Sequence, residues 1–271
     1  MKYFNRSTAR IVASLLSVLL LASLTEWPSS VVAKQAPSSK PTVVLVHGAF
    51  AESSSWNGVV GPLLAKGYPV LAVAIPLRGV KSDAAYVASA IDSVQRPVVL
   101  VGHSYGGQVI SNAAKGKSNV KSLVFVAGFA PDLGETAVGL SGKFPGSTLG
   151  GTLAAPVPLP GGGNDLYIQQ EKFRTQFAAD VTEADARLMA ATQRPIVDLA
   201  LNEPSGAPAW KTIPSWFLYG SLDKNIPAAA LAFMAKRAKS KKTVEIKGAS
   251  HVVMISHPDA VVKLIEDAAA N

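Results

Sequence analysis

The sequence lacks cysteine altogether and is sparing with charge, and each shortage closes off some chemistry. Without a thiol there is no disulfide framework and nothing to carry a lipoprotein anchor, so stability must come from the core. Only 16% of the 271 residues are charged while 48% are hydrophobic, which excludes a disordered chain and fits one large or two small globular domains. There is no His-Glu-x-x-His and no ligand cluster for a metal, and no Gly-x-Gly-x-x-Gly after a strand for a dinucleotide, so no cofactor is expected. Internal repeats are also absent.

At the N-terminus, Lys2, Arg6 and Arg10 precede the apolar run Ile11 to Leu24, and Val31-Val32-Ala33 supplies small residues for cleavage. This reads as a secretory signal peptide over residues 1–33. Its fourteen apolar residues fall short of the about 20 that a membrane span requires. Cleavage removes three bases and one acid, lowering the net charge from +8 to +6. The expected destination is a periplasm or the extracellular medium, with membrane contact only during export. Much of the remaining positive charge sits in Lys236, Arg237, Lys239, Lys241 and Lys242. Cations suit a helix C-terminus, and nothing is interleaved among them to read bases, so a solvated helix end is expected and no nucleic-acid partner. Oligomeric state is not encoded in any feature of the sequence.

After a flexible lead-in over 34–40, short β-branched runs alternate with helical segments. Strands are expected at Thr42–Val46, Val70–Ala74, Val98–Val101, Val120–Val126, Ser215–Tyr219 and Thr243–Ile246. Helices are expected at Trp56–Lys66, Asp83–Val94 with Ser82 as N-cap, Pro227–Lys239 and Pro258–Ala269. Such alternation implies an α/β domain over 41–271 with a mostly parallel sheet covered on both faces. It breaks over about 130–213, where residues 134–163 hold nine glycines and four prolines. Helices are expected beyond them at Asp165–Phe177, Thr182–Ala191 and Pro195–Leu201, and no strand. This block reads as a cap inserted over the sheet's carboxyl edge.

The third strand runs into Gly102-His103-Ser104-Tyr105-Gly106 and then a helix-compatible segment. A Gly-x-Ser-x-Gly between strand and helix is the sequence form of a nucleophile elbow, a turn so sharp that the serine backbone is strained and its Oγ exposed. Serine needs a base, and the base an orienting acid. Asp223 follows the fifth long strand, and His251 follows the sixth, so both belong to strand-end loops at the same sheet edge as Ser104. Asp132, after the fourth strand, is a rival acid to the favoured Asp223. Among the other histidines, His103 lies inside the elbow, His47 is expected to bond loop backbone, and His257 to be structural. A tetrahedral oxyanion needs two N–H donors. Tyr105 should give one and the loop His47-Gly48-Ala49-Phe50 the other, from Ala49 or, second, Phe50.

Val-His-Gly-Ala-Phe, Gly-His-Ser-Tyr-Gly-Gly, Gly-Ser-Leu-Asp and Ala-Ser-His together resemble the motifs of the α/β-hydrolase superfamily over residues 41–270. His47-Gly48-Ala49 followed by Ser55-Trp56 is similar to the branch of plant methyl esterases and hydroxynitrile lyases. The lyases of that branch carry threonine after the loop histidine and lysine after the catalytic one. Gly48 and Val252 stand there instead, so the resemblance implies an esterase. The expected function is cleavage of small or medium carboxylic esters by Ser104, His251 and Asp223 through an acyl-enzyme. Amidase, lactonase, perhydrolase or lyase activity would use the same site, and a slowly turning-over binding or sensing protein would have the same sequence. Of the aromatic and apolar residues in and beside the cap (Phe144, Phe173, Phe177 and Met189 among them), Phe129, Tyr167 and Trp210 are expected to line the pocket for a small-molecule ester.

Overall fold

A computed structural model describes residues 40–271; the expected signal peptide and residues 34–39 of the lead-in lie outside the described residues. Six parallel strands form the central sheet: β1 (Thr42–Val46), β2 (Val70–Val73), β3 (Val98–His103), β4 (Val120–Val126), β8 (Ser215–Gly220) and β9 (Lys242–Ile246). Their spatial order is β2-β1-β3-β4-β8-β9. Every residue of β1 and β3 is buried, which is why both read as unbroken apolar runs instead of alternating ones.

Right-handed crossovers fix the helices. The chain leaves β1 toward β2 and then turns back past β1 to β3, so α1 (Asn57–Ala65) and α2 (Val80–Asp92) lie on opposite faces. α3 (Tyr105–Ala113) packs with α2, and α8 (Ala228–Arg237) follows β8. The last helices, α9 (Val253–Ser256) and α10 (Pro258–Ala269), pack with α1. Val261, Val262, Leu264, Ile265 and Ala268 form the buried stripe of α10. Burial of each large aliphatic chain stabilises by about 1.5–3 kcal/mol, so Ile265→Ala should loosen that face by roughly 2–5 kcal/mol. The reversal of winding between β1 and β3 is a topological switch point, where open α/β sheets place their sites.

Three expectations need correction. The second long helix begins at Val80, three residues before Asp83, and Ser82 does not cap it; its hydroxyl donates to the Gly79 carbonyl. The Glu203 carboxylate, arriving from the cap, accepts from the Val80 and Lys81 amides at 2.6 and 3.1 Å and supplies the missing acceptor. The cap also contains strands. β5 (Val157–Pro158), β6 (Asn164–Leu166) and β7 (Ile196–Val197) make a small antiparallel sheet. Its helices are α4 (Ala137–Ser141), α5 (Gln170–Phe177), α6 (Glu183–Thr192) and α7 (Asp198–Asn202). Thr182 caps α6, accepting from the Asp185 amide. Finally, Arg237 is not merely solvated. It grips both oxygens of Glu135 at 2.7 Å and lies over the Phe233 and Trp210 rings, tying α8 to the start of the cap. Arg194 to Glu52 and Arg78 to Asp165 tie the cap at two further points.

Candidate active site

β3 ends in Gly102-His103, and Ser104 joins it to α3 with φ 53° and ψ −125°. A side chain held in that region costs on the order of 1–3 kcal/mol, so the surroundings must enforce it. The Ser104 amide donates to the Val126 carbonyl, while its own carbonyl accepts from Gly107 and Phe129. The bend also brings backbone onto backbone. A Cβ on Gly102 would lie 2.6 Å from the Gly106 carbonyl oxygen, and one on Gly106 would lie 2.6 Å from that of Val46. Glycine is required at both positions.

The loops after β8 and β9 converge on this bend. His251 Nδ1 lies 2.6 Å from Asp223 Oδ2, with both side chains almost wholly buried. Asp223 Oδ1 accepts from the Asn225 and Ile226 amides at 2.8 and 2.9 Å, so the carboxylate is held by its own loop. Bonding of Nδ1–H to a carboxylate leaves Nε2 of His251 bare, and that buried atom has no hydrogen-bond partner among the described residues. The rival Asp132 is elsewhere. It pairs with Lys211, whose hydrogen bond holds the carboxyl below its ordinary range.

Tyr105 opens α3, where an amide has no intrahelical acceptor. Among the described residues the Ala49 amide likewise has no backbone or side-chain acceptor. The Phe50 amide is committed. With φ 59° it turns to the Arg194 carbonyl at 3.0 Å, which removes Phe50 from the oxyanion candidates.

The other buried histidines hold this architecture in place. His47 Nδ1 faces the Gly48 carbonyl at 2.9 Å and Nε2 accepts from the Ile75 amide at 3.1 Å. Those two bonds suit only the neutral Nδ1–H tautomer, and burial lowers the His47 pKa to about 4. Burial likewise lowers His103 well below its usual value; its Nε2 meets the His251 carbonyl at 3.1 Å. His257 faces Ser256 and Asp180. Behind the elbow, the Tyr105 hydroxyl donates to the buried Asp83 carboxylate at 3.0 Å. Burial pushes both groups up.

Ser104 and His251 share a cavity of about 60 Å³ with Ala49, Phe50, Tyr105 and Phe129. The cap side of its wall is Ala137, Val138, Ser141, Leu149, Phe177 and Leu201, with Asn225 and Ile226 from the loop after β8. Phe129 therefore stands where it was expected, and two other residues do not. Tyr167 lies in a separate shallow groove with Ala154, Val157 and Gln170. Trp210 donates its indole N–H to the Pro131 carbonyl and stacks against Arg237. Phe177, 5.1 Å from the His251 ring between centroids, takes the place assigned to them. The Phe173 and Phe177 pair marks a buried helix face in the sequence, but Leu149 and Leu201 carry no such signal. A larger open groove of about 380 Å³ runs between α6 and the start of α1, apart from all three of Ser104, Asp223 and His251. Among the described residues no group of three or more His, Asp or Glu side chains is placed to hold a metal.

Comparison with known proteins matches residues 43–264 to the alpha/beta hydrolase family. The chain is 26% identical over 237 residues to the alpha-hydroxynitrile lyase of Arabidopsis thaliana, covering 79% of this chain and 92% of that protein. It is also 26% identical over 253 residues to the pimeloyl-[acyl-carrier protein] methyl ester esterase of Aeromonas hydrophila, covering 83% and 94%. Among solved structures, polyneuridine aldehyde esterase superposes with a TM-score of 0.73 at 20% identity, over 84% of this chain and 98% of that one.

Proposed function

The chain belongs to the alpha/beta hydrolase family, whose members similar to it include esterases, and from that premise we propose that it is an exported serine hydrolase acting on small or medium carboxylic esters. Ser104 Oγ attacks the ester carbonyl while His251 Nε2 takes its proton. Asp223 holds the imidazole in the tautomer with a bare Nε2 and stabilises the imidazolium that forms. The oxyanion of the tetrahedral intermediate accepts from the Ala49 and Tyr105 amides. His251 then returns the proton to the departing alcohol. Water, deprotonated by the same nitrogen, attacks the acyl-enzyme and releases the acid and free Ser104.

The observation that carries this reading is the buried imidazole itself, one nitrogen on Asp223 and the other unpartnered, sharing a cavity with Ser104. The small apolar cavity supports short acyl or alcohol groups, since sites for drug-sized ligands run to about 300–1,000 Å³. Export rests on the basic, apolar and small-residue succession of residues 1–33.

Hydrolysis of p-nitrophenyl acetate through octanoate, by the mature protein and by Ser104→Ala, tests the chemistry. Turnover favouring the short chains and lost in the variant is expected. Turnover that survives the substitution would overturn the assignment of Ser104. N-terminal sequencing of the protein from its host should begin near Lys34, and a retained Met1 would sink the export reading.

A further inference from the structure

Besides Ser104, His251 and Ser141, one further polar side chain lines the cavity. Asn225 is only 4% exposed, and its neighbours decide which end of its amide is which. Gln176 Nε2 donates to the Lys224 carbonyl at 2.9 Å, an atom that can only accept, so Gln176 has a single possible orientation. The same nitrogen donates to Asn225 Oδ1 at 2.9 Å, and the Thr148 hydroxyl donates to Gln176 Oε1 at 2.7 Å. Asn225 Oδ1 is therefore committed to the cap. Its Nδ2, with two hydrogens to give, is buried and has no acceptor among the described residues.

A buried donor left unsatisfied is destabilising, and native proteins keep few of them. The backbone of Asn225 does structural work that another side chain would leave intact: its amide donates to Asp223 and its carbonyl accepts from Ser141. The nearby wall is hydrocarbon, from Phe129, Leu149, Phe177 and Leu201, apart from the Ser141 hydroxyl, whose hydrogen is already given to the Asn225 carbonyl. A lone donor in such a wall discriminates by what it lacks when the wrong group arrives.

We propose that Asn225 Nδ2 is a specificity-determining donor, and that the substrate is a short ester carrying a second oxygen acceptor (ether, keto or hydroxyl) on the part held in this cavity. The proposal rests on the serine-ester reading above and adds to it the polarity of the bound group.

Two isosteric pairs test it, one on each side of the ester: p-nitrophenyl methoxyacetate against p-nitrophenyl butyrate, and 2-methoxyethyl acetate against butyl acetate. The ratio of kcat/KM for the oxygenated ester to that for its hydrocarbon partner is measured in the wild type, in Asn225→Leu and in Asn225→Ala. Intrinsic ester reactivity cancels when the ratios are compared between proteins, as does any general loss from loop disturbance. The ratio for at least one pair should fall about tenfold in both variants, as expected for one neutral hydrogen bond. Two variants are used so that a folding defect in one leaves the other informative. Ratios unchanged from wild type in both pairs would overturn the proposal while leaving the esterase reading intact. Failure of the wild type to cleave any of the four esters would remove the esterase reading and this proposal with it.

Discussion

The strand-end loops and the cap face each other across one small cavity, yet they are held by different means. On the sheet side, Ser104 and Asp223 are set by backbone: carbonyls and amides fix the strained serine, and two loop amides fix the carboxylate that in turn holds the His251 imidazole. On the cap side, only three backbone bonds among the described residues cross to the core (Phe50 to Arg194, Val197 to Leu77 and Thr148 to Lys224), and the other ties are side chains, among them Arg78, Arg194, Glu203, Gln176 and Arg237. Backbone-held geometry tolerates little displacement, which suits bond-making atoms. A side-chain-held wall can change in shape without moving them.

That contrast can be broken or sharpened by experiment. The largest effect belongs to the core: Ser104→Ala should lower kcat on the order of a million-fold, read with p-nitrophenyl acetate against the uncatalysed rate. Asp223→Asn should cost about ten-thousandfold, because the wrong imidazole tautomer is then stabilised, and a loss under tenfold would argue that another acid serves. Third comes acid stability. All four histidines lie outside residues 130–213, and His47 titrates at about 4 in the folded protein against 6.5 ordinarily. The unfolded chain then binds the extra proton between those values, so stability is full above about pH 6.5 and declines as pH falls toward 4, by about 3 kcal/mol. A urea midpoint that stays constant from pH 7 to 4.5 would contradict the neutral tautomer assigned to His47. Fourth, Leu201→Ala on the cap side should enlarge the cavity and raise kcat/KM for octanoate relative to acetate about tenfold. Smallest of all, Tyr167→Ala and Asp132→Asn should each leave kcat/KM within about twofold, since neither borders the cavity. A larger loss from either would erase the boundary drawn here between site and surroundings.

The same division explains what the sequence discloses. Val98–His103 and Val120–Val126 are fully or almost fully buried, valine-rich runs, and that composition marks them as strands. Ser104, Asp223 and His251 stand at the ends of such strands, where motif and topology coincide. The start of the second long helix was not legible, because its N-terminal acceptor is Glu203, more than 120 residues later. Nor were β5 to β7, two or three residues each among glycines and prolines, which exist only by pairing with one another. Tyr167 and Trp210 failed as pocket residues because aromatic character reports burial or amphipathicity and not direction. Leu149, Leu201 and Val138 sit in elements too short to show a periodicity.

The close backbone approach at Gly102 and Gly106 has a consequence for how the protein could change over many generations. No side chain can be added at either position without parting the elbow from the strands beneath it, so descent with modification has nothing to work on there. Across the cavity, Val138, Leu149 and Leu201 are ordinary hydrocarbon, each exchangeable one at a time for something larger, smaller or more polar. A lineage built on this plan can drift freely in what it accepts while its chemistry stays fixed.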